Sequence, residues 1–279
     1  MFIPHHALIR ADDSAPARWL LVLHGIYGSG GNWRTFARKL TRRRPDWGAV
    51  LVDLRMHGQS RHAPPPHTVT AAAADLVHLT GALASQGNAV HAVCGHSFGG
   101  KVALQYREQA DDSLLQTWVI DASPSANTGA METADNLVIQ VLHMLRELPQ
   151  GFSNRNDFVG QVSDRGFPAP LAHWLAMNLV RGRDPRSYVL GLDLAAMEAL
   201  ILDYYELDCW PAAQTGPGQL CAVVAGKSSA VSPHDRARLE TLARPGATAE
   251  LIDIENSGHW VHMEAPDALL DAIASRLPG

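Results

Sequence analysis

The feature that most constrains the fold of this chain is a rhythm of short apolar runs alternating with helix-length segments. "WLLVLHG" (19–25), "AVLVDL" (49–54), "AVHAVCG" (89–95), "TWVIDA" (117–122), "LCAVVAG" (220–226) and "AELIDI" (249–254) are each about strand length and bounded by turn residues. They read as strands buried on both faces, which a parallel sheet covered by helices requires. Between them lie "NWRTFARKLTRR", "TVTAAAADLVHLTGALAS", "GGKVALQYREQA", "SPHDRARLETLA" and the terminal "PDALLDAIASRL". Most carry apolar residues three and four apart, the spacing of helices that pack one face on a sheet. The order predicts right-handed βαβ crossovers in a single α/β sheet.

One region breaks the rhythm. From about Ser123 to Gly218 no strand is evident, while "METADNLVIQVLHMLREL", "APLAHWLAMNLV" and "LDLAAMEALILDYYEL" look helical. A segment this long cannot be structureless in a compact domain, so the expectation is a helical cap over 123–218, inserted into a core built from 1–122 and 219–279. The joints "QGFSNRNDFVG" and "RGRDPRS" are expected to separate the cap helices.

Charge and composition narrow the function. Lys plus Arg number 23 against 28 for Asp plus Glu, a formal charge of −5 that argues against nucleic acid as a partner and suits a small or neutral ligand. The apolar runs fall far short of the roughly 20 residues that span a bilayer, so no membrane-crossing helix is expected. The start, "MFIPHHALIRADDSAP", does not read as a signal peptide, and Cys94, Cys209 and Cys221 are an odd number without metal-ligand spacing. Both observations point to a reduced, cytoplasmic protein. The 14 histidines show no metal-binding spacing either, so no metal site is expected.

Chemistry concentrates around "CGHSFGG" (94–100), where an apolar run ends and a helical segment begins. A G-x-S-x-G at a strand-to-helix junction makes a tight elbow that holds the serine exposed on a strained backbone, which marks Ser97 as a nucleophile. A serine hydroxyl is too weakly acidic to attack a carbonyl unaided, and needs a base, an orienting acid and donors for the developing oxyanion. "NSGHWVHMEAPDALL" places His259 after the last strand and before the last helix, as the base, with the nearby His262 read as structural. The oxyanion donors are expected to be the backbone amides of Phe98, next to the nucleophile, and of Ile26, in "HGIYGSGGNW". That glycine-rich loop lacks the spacing of a phosphate cradle.

Taken together, "HGIYGSGGNW", "DLRMHGQS", "GHSFGG" and "SGHWVHMEAP" resemble the signature segments of the α/β-hydrolase superfamily, in the family's order and across essentially all of the chain outside the cap. They are most similar to its small intracellular esterases. The resemblance implies an α/β-hydrolase fold: an eight-stranded, mostly parallel sheet flanked by helices, with "MFIPHHALIR" supplying the early strand or strands. It also implies that Asp53 and Arg55 of "DLRMHGQS" hold the loop near the oxyanion site. The chain departs from the family's usual pattern at the acid. Most members carry it about three residues past the glycine in "AGKSSAVSP", where this sequence has Ser229. A hydroxyl cannot stabilise an imidazolium as a carboxylate does. Asp121, at the end of "TWVIDA", is in a place some members use, which makes it the expected triad acid with Ser229 as an auxiliary fourth member bonded to His259. The alternative is that Asp121 orders the loop into the cap and Asp208 or Asp235 serves instead.

The expected activity is hydrolysis of small-molecule carboxylic esters through an acyl-enzyme, without cofactor. Hydrophobic cap residues, with Met131, Met144, Leu145, Trp174, Met177 and Met197 among them, are candidates to line an apolar acyl pocket. The same triad also serves carbon–carbon, lactone, thioester and amide cleavage and perhydrolysis, and some relatives are small-molecule receptors, so these readings stay open. Epoxide hydrolysis and dehalogenation are disfavoured, because those relatives place an aspartate where Ser97 stands. The physiological ester and the oligomeric state are not legible in the sequence.

Overall fold

The computed structural model describes residues 1–279. Its strands are β1 (His6–Ile9), β2 (Arg18–Leu23), β3 (Trp47–Val52), β4 (Val90–His96), β5 (Gln116–Ile120), β6 (Leu179–Arg181), β7 (Tyr188–Leu190), β8 (Gln219–Ala225) and β9 (Ala249–Ile254). Seven of them form one sheet in the order β1-β3-β2-β4-β5-β8-β9, parallel throughout except for β1, which runs antiparallel to β3. This is the α/β-hydrolase arrangement with seven strands rather than the expected eight. "MFIPHHALIR" supplies a single strand, and the chain just before it is held by the neighbouring loop instead: His5 donates its N–H to Ser60 Oγ and accepts from Asp53 N–H.

The helices are α1 (Arg34–Arg43), α2 (Val69–Ser85), α3 (Phe98–Gln109), α4 (Leu137–Glu147), α5 (Arg155–Ser163), α6 (Ala169–Leu175), α7 (Leu194–Glu206), α8 (Trp210–Thr215), α9 (Pro233–Leu242), α10 (Val261–Glu264) and α11 (Pro266–Arg276). Strand side chains alternate between the two faces of the sheet, as the period of two demands. Leu20 and Val22 of β2 pack with Phe36 and Leu40 of α1 and Leu269 and Ile273 of α11. Leu21 and Leu23 pack with Leu76 of α2 and Val102 of α3. Burial of a leucine of this kind stabilises the fold by about 1.5–3 kcal/mol. Both faces are therefore dry, which is why the strands read as continuous apolar runs.

Between β5 and β8 the chain forms α4 to α8. This segment is not free of strands, however. β6 and β7 form a small antiparallel hairpin, and "RGRDPRS" is its turn, closed by Gly182 N–H to Ser187 O and Ser187 N–H to Asp184 O, rather than a joint between helices. Three-residue strands are too short to register as a period-two pattern, which accounts for the difference. The helix starts also carry their own signals: Asn136, Asn154 and Asp193 cap α4, α5 and α7 by accepting first-turn N–H groups.

The junction of β4 and α3 is the tightest point of the fold. Ser97 sits at φ 54, ψ −118, a conformation that costs a non-glycine residue on the order of 1–3 kcal/mol. Its N–H is tied to the Ile120 carbonyl at 3.0 Å, fastening the turn to β5. A Cβ on Gly95 would stand 1.9 Å from the Gly99 carbonyl oxygen, and one on Gly99 would stand 2.7 Å from that of His24. The glycines thus permit backbone to pass against backbone. Gly95→Ala is expected to lower unfolding stability by about 3 kcal/mol or more, since backbone must move to admit the methyl group. Chemical denaturation measures this, and an unchanged midpoint would contradict the packing described.

Candidate active site

The carboxyl ends of β2, β4, β5, β8 and β9 converge, as expected for ligand sites in open α/β sheets. Here they open into a cavity of about 640 Å³ roofed by the segment between β5 and β8. Ser97, His259, Ile26 and Phe98 all line it. Asp121 lies behind, with no solvent exposure, its backbone at φ 45 and its N–H tied to the Val223 carbonyl at 2.8 Å.

Asp121 Oδ2 accepts the His259 Nδ1–H at 2.7 Å. Its other contacts come from the β8 end: Oδ1 accepts the Ala225 N–H at 3.1 Å, and Oδ2 also accepts the Ser228 hydroxyl at 2.5 Å. A buried carboxylate without such donors would carry an uncompensated desolvation cost. With Nδ1 carrying the proton, His259 Nε2 presents its lone pair. Neither Nε2 nor Ser97 Oγ has a hydrogen-bond partner in the protein, and both residues face the cavity.

The two alternative acids are committed elsewhere. Asp208 accepts the Trp210 N–H at 3.0 Å just ahead of α8. Asp235 is buried and accepts the hydroxyls of Ser123 and Ser125, together with its own N–H contact to Ser232 Oγ. Ser229 lines the cavity but makes no hydrogen bond to His259. The hydroxyl that reaches the Asp121–His259 pair belongs to its neighbour Ser228, and touches the carboxylate rather than the imidazole. A one-residue offset in a loop depends on how the loop is folded, which motif spacing does not report.

The loop after β2 is held rigidly around Ile26. Gly28 N–H closes a turn on the Gly25 carbonyl, and Tyr27 sits at φ 62. The Ile26 N–H has no acceptor in the protein, and Phe98, as the first residue of α3, has no intrahelical acceptor for its own. Two buried histidines that sequence reasoning missed fix this loop. His24 donates Nδ1–H to the Gly25 carbonyl (2.8 Å) and accepts the Leu54 N–H at Nε2 (3.0 Å). His57 donates Nδ1–H to the Arg55 carbonyl (2.9 Å) and accepts the Tyr27 N–H at Nε2 (3.1 Å). Each must be neutral to accept and donate in this way. Burial pushes His24 down to about 4 and His57 to about 3. Asp53 holds the next turn through Gly30 N–H and Gln59 N–H, while Arg55 pairs with buried Asp75. The Asp53 and Arg55 contacts are in the loop where the resemblance placed them, whereas the only hint of the two histidines in the sequence is the repeated "HG".

A third buried histidine, His96, donates Nε2–H to the His259 carbonyl at 2.7 Å and so pins the His259 backbone to the elbow. His262 stacks on Trp33 with ring centroids 4.4 Å apart. Burial holds His96 well below its ordinary value and His262 at about 4. The expected pocket residues are mostly elsewhere: of the six, Trp174 alone lines the cavity. Met144, Leu145 and Met197 are buried in the core, Met131 packs against it, and Met177 is 51% exposed with its sulfur accepting from Asn32. The apolar walls are formed instead by Leu137, Val138, Val141, Leu171, Ile201 and Trp260.

Four histidines held neutral by burial fix the sign of the pH dependence. The unfolded chain protonates them below about 6.5 and the folded chain does not. Their contribution is complete above that value and is lost as pH falls from 6.5 toward 4, by about 1.4 kcal/mol per pH unit for each histidine that the unfolded chain protonates first. Urea midpoints at pH 7.5, 6 and 5 are expected to fall in that order; midpoints that stay level or rise would contradict it.

The chain as a whole is similar to known proteins. The sequence profile of the alpha/beta hydrolase family matches residues 20–272. The sn-1-specific diacylglycerol lipase ABHD11 of Mus musculus is 28% identical over 271 residues, covering 97% of this chain and 83% of that protein. Esterase YbfF of Escherichia coli is 27% identical over 259 residues, covering 91% of each. Among solved structures, a marine microorganism esterase superposes with a TM-score of 0.80 at 21% identity, covering 99% of this chain and all of that one. With a family match across nearly its whole length and the same fold in a solved structure, this chain belongs to the alpha/beta hydrolase family.

Proposed function

We propose that the protein is a serine carboxylesterase that works through an acyl-enzyme. The observation that carries this reading is Ser97 on its strained elbow, facing one cavity with His259, whose imidazole is oriented by the buried Asp121. His259 Nε2 takes the hydroxyl proton as Ser97 Oγ attacks the acyl carbon. The Ile26 and Phe98 amides receive the charge that develops on the carbonyl oxygen. The imidazolium is stabilised by Asp121 and returns its proton to the leaving alcohol. Water then repeats the sequence, with His259 as base, and releases the acid from Ser97. Every proton is moved by groups of this chain.

Residues 123–218 act in this proposal as a cap over the core. Their apolar contribution to the cavity favours neutral esters with hydrocarbon groups, in line with the lipase and esterase names of the relatives. Ser228 supports Asp121 from the loop after β8, and Ser229 faces the substrate space beside it. The three cysteines, all free and buried, fit a cytoplasmic setting, and no helix is long and apolar enough to cross a membrane.

The test is hydrolysis of p-nitrophenyl esters over a range of acyl lengths. Activity with an optimum in chain length is expected, vanishing in Ser97→Ala and falling on the order of 10⁴-fold in kcat for Asp121→Asn, whose amide holds the imidazole in the wrong tautomer. Residual activity of Ser97→Ala near that of the parent would remove the serine from the mechanism. Near-normal turnover of Asp121→Asn would remove the acid.

A further inference from the structure

Three tyrosines line the cavity, and their hydroxyls are not equivalent. Tyr27 donates to the Val138 carbonyl at 2.9 Å, and Tyr205 accepts from Asn136 Nδ2 at 2.8 Å. The Tyr204 hydroxyl alone has no hydrogen-bond partner in the protein. It is not sealed away from the cavity, so it is free to donate to a bound ligand with a suitably placed acceptor.

Nothing about the placement of this ring is loose. It lies with its centroid 6.0 Å from that of Phe98, the residue next to the nucleophile, and meets Tyr205 edge-on at 5.2 Å. The Lys101 ammonium stands 4.6 Å from its ring centroid and also donates to the Tyr204 carbonyl at 2.6 Å. Lys101 belongs to the same helix that begins after Ser97, so the phenol and the nucleophile are referred to one rigid element. A cation against the ring draws electron density from it and favours the hydroxyl as donor. Burial, joined by neighbouring Tyr205, Cys209 and Asp121, raises the phenol far above its ordinary range, so the proton stays on the oxygen at any working pH.

Resting on the serine-esterase reading, we propose that Tyr204 determines specificity at this site by donating a hydrogen bond to a substrate oxygen outside the scissile carbonyl. The carbonyl oxygen is already served by two backbone amides, Ile26 and Phe98, which leaves the phenol for a second acceptor on the acyl chain or on the alcohol. The preferred substrates are then esters that carry such an oxygen close to the reacting carbon, set in an otherwise hydrocarbon frame. A purely apolar cavity would instead favour the all-carbon counterpart.

Tyr204→Phe, which keeps the ring and its packing, tests this with matched substrate pairs. One pair varies the acyl side, p-nitrophenyl methoxyacetate against p-nitrophenyl butyrate. The other varies the alcohol side, glycerol monobutyrate against hexyl butyrate. For at least one pair, kcat/KM of the oxygen-bearing member is expected to fall about tenfold or more, with its hydrocarbon partner within twofold of the parent and the melting temperature preserved. Equal losses on both members of each pair, or no loss on any, would overturn the proposal. Ser97→Ala is run on the same four esters. Activity surviving there strikes the underlying esterase reading, whereas its abolition together with an unselective Tyr204→Phe strikes only the role of the phenol.

Discussion

A fully buried carboxylate has to be compensated, and the way Asp121 is compensated organises this molecule. Its donors come from β8 (Ala225), the loop beyond it (Ser228) and the loop after β9 (His259), while its own backbone is tied to Val223. Segments far apart in sequence must all be in place before the charge is satisfied. Removing any donor leaves a charged group short of partners in a dry environment, where the penalty is large. The orientation of the imidazole is therefore a by-product of folding and needs no rearrangement when a substrate arrives.

The same economy governs the roof of the cavity. Lys101 of α3 is buried, and its ammonium donates to the carbonyls of Ser125, Tyr204 and Leu207, one at the point where the chain leaves the core and two where it returns. Asp235, from α9, accepts the hydroxyls of Ser123 and Ser125 at the same exit. Arg107, a further two turns along α3, donates to the Gly216 and Gly218 carbonyls ahead of β8. The helix that starts after Ser97 thus clasps both crossings of the chain between core and roof. Burial lowers Lys101 to about 8 against the opposing pull of nearby Cys209, Asp208, Asp235 and Asp203, and its ammonium is satisfied by three carbonyls rather than by a directly paired carboxylate.

How much of this is legible in the sequence follows from which features are local. The sheet is, because strands dry on both faces must be continuous apolar runs, and those runs are the observed β2, β3, β4, β5 and β8, with the half-exposed β9 at the edge. The elbow is, because a Cβ at 95 or 99 would stand only 1.9 or 2.7 Å from a backbone carbonyl oxygen, which admits only glycine there. The hairpin of β6 and β7 is not, since three residues show no period. Nor are the cavity walls: helical spacing identifies an apolar face on α4 and α7 but not what it meets, so Met144 and Met197 go to the core while Val141 and Ile201 meet the cavity. The supporting histidines at 24, 57 and 96 are invisible for a related reason, because their partners are backbone atoms brought close only by the tertiary fold.

The central claim is that Ser97 is the nucleophile and that the fold, through His259 and Asp121, activates it. Treating the protein with an alkyl fluorophosphonate and mapping the adduct by peptide mass spectrometry tests this without knowledge of the natural ester. A single stoichiometric adduct on Ser97, formed at a rate that collapses in Asp121→Asn, is the predicted result. Modification at another residue, or a rate indifferent to the loss of the carboxylate, would contradict the account.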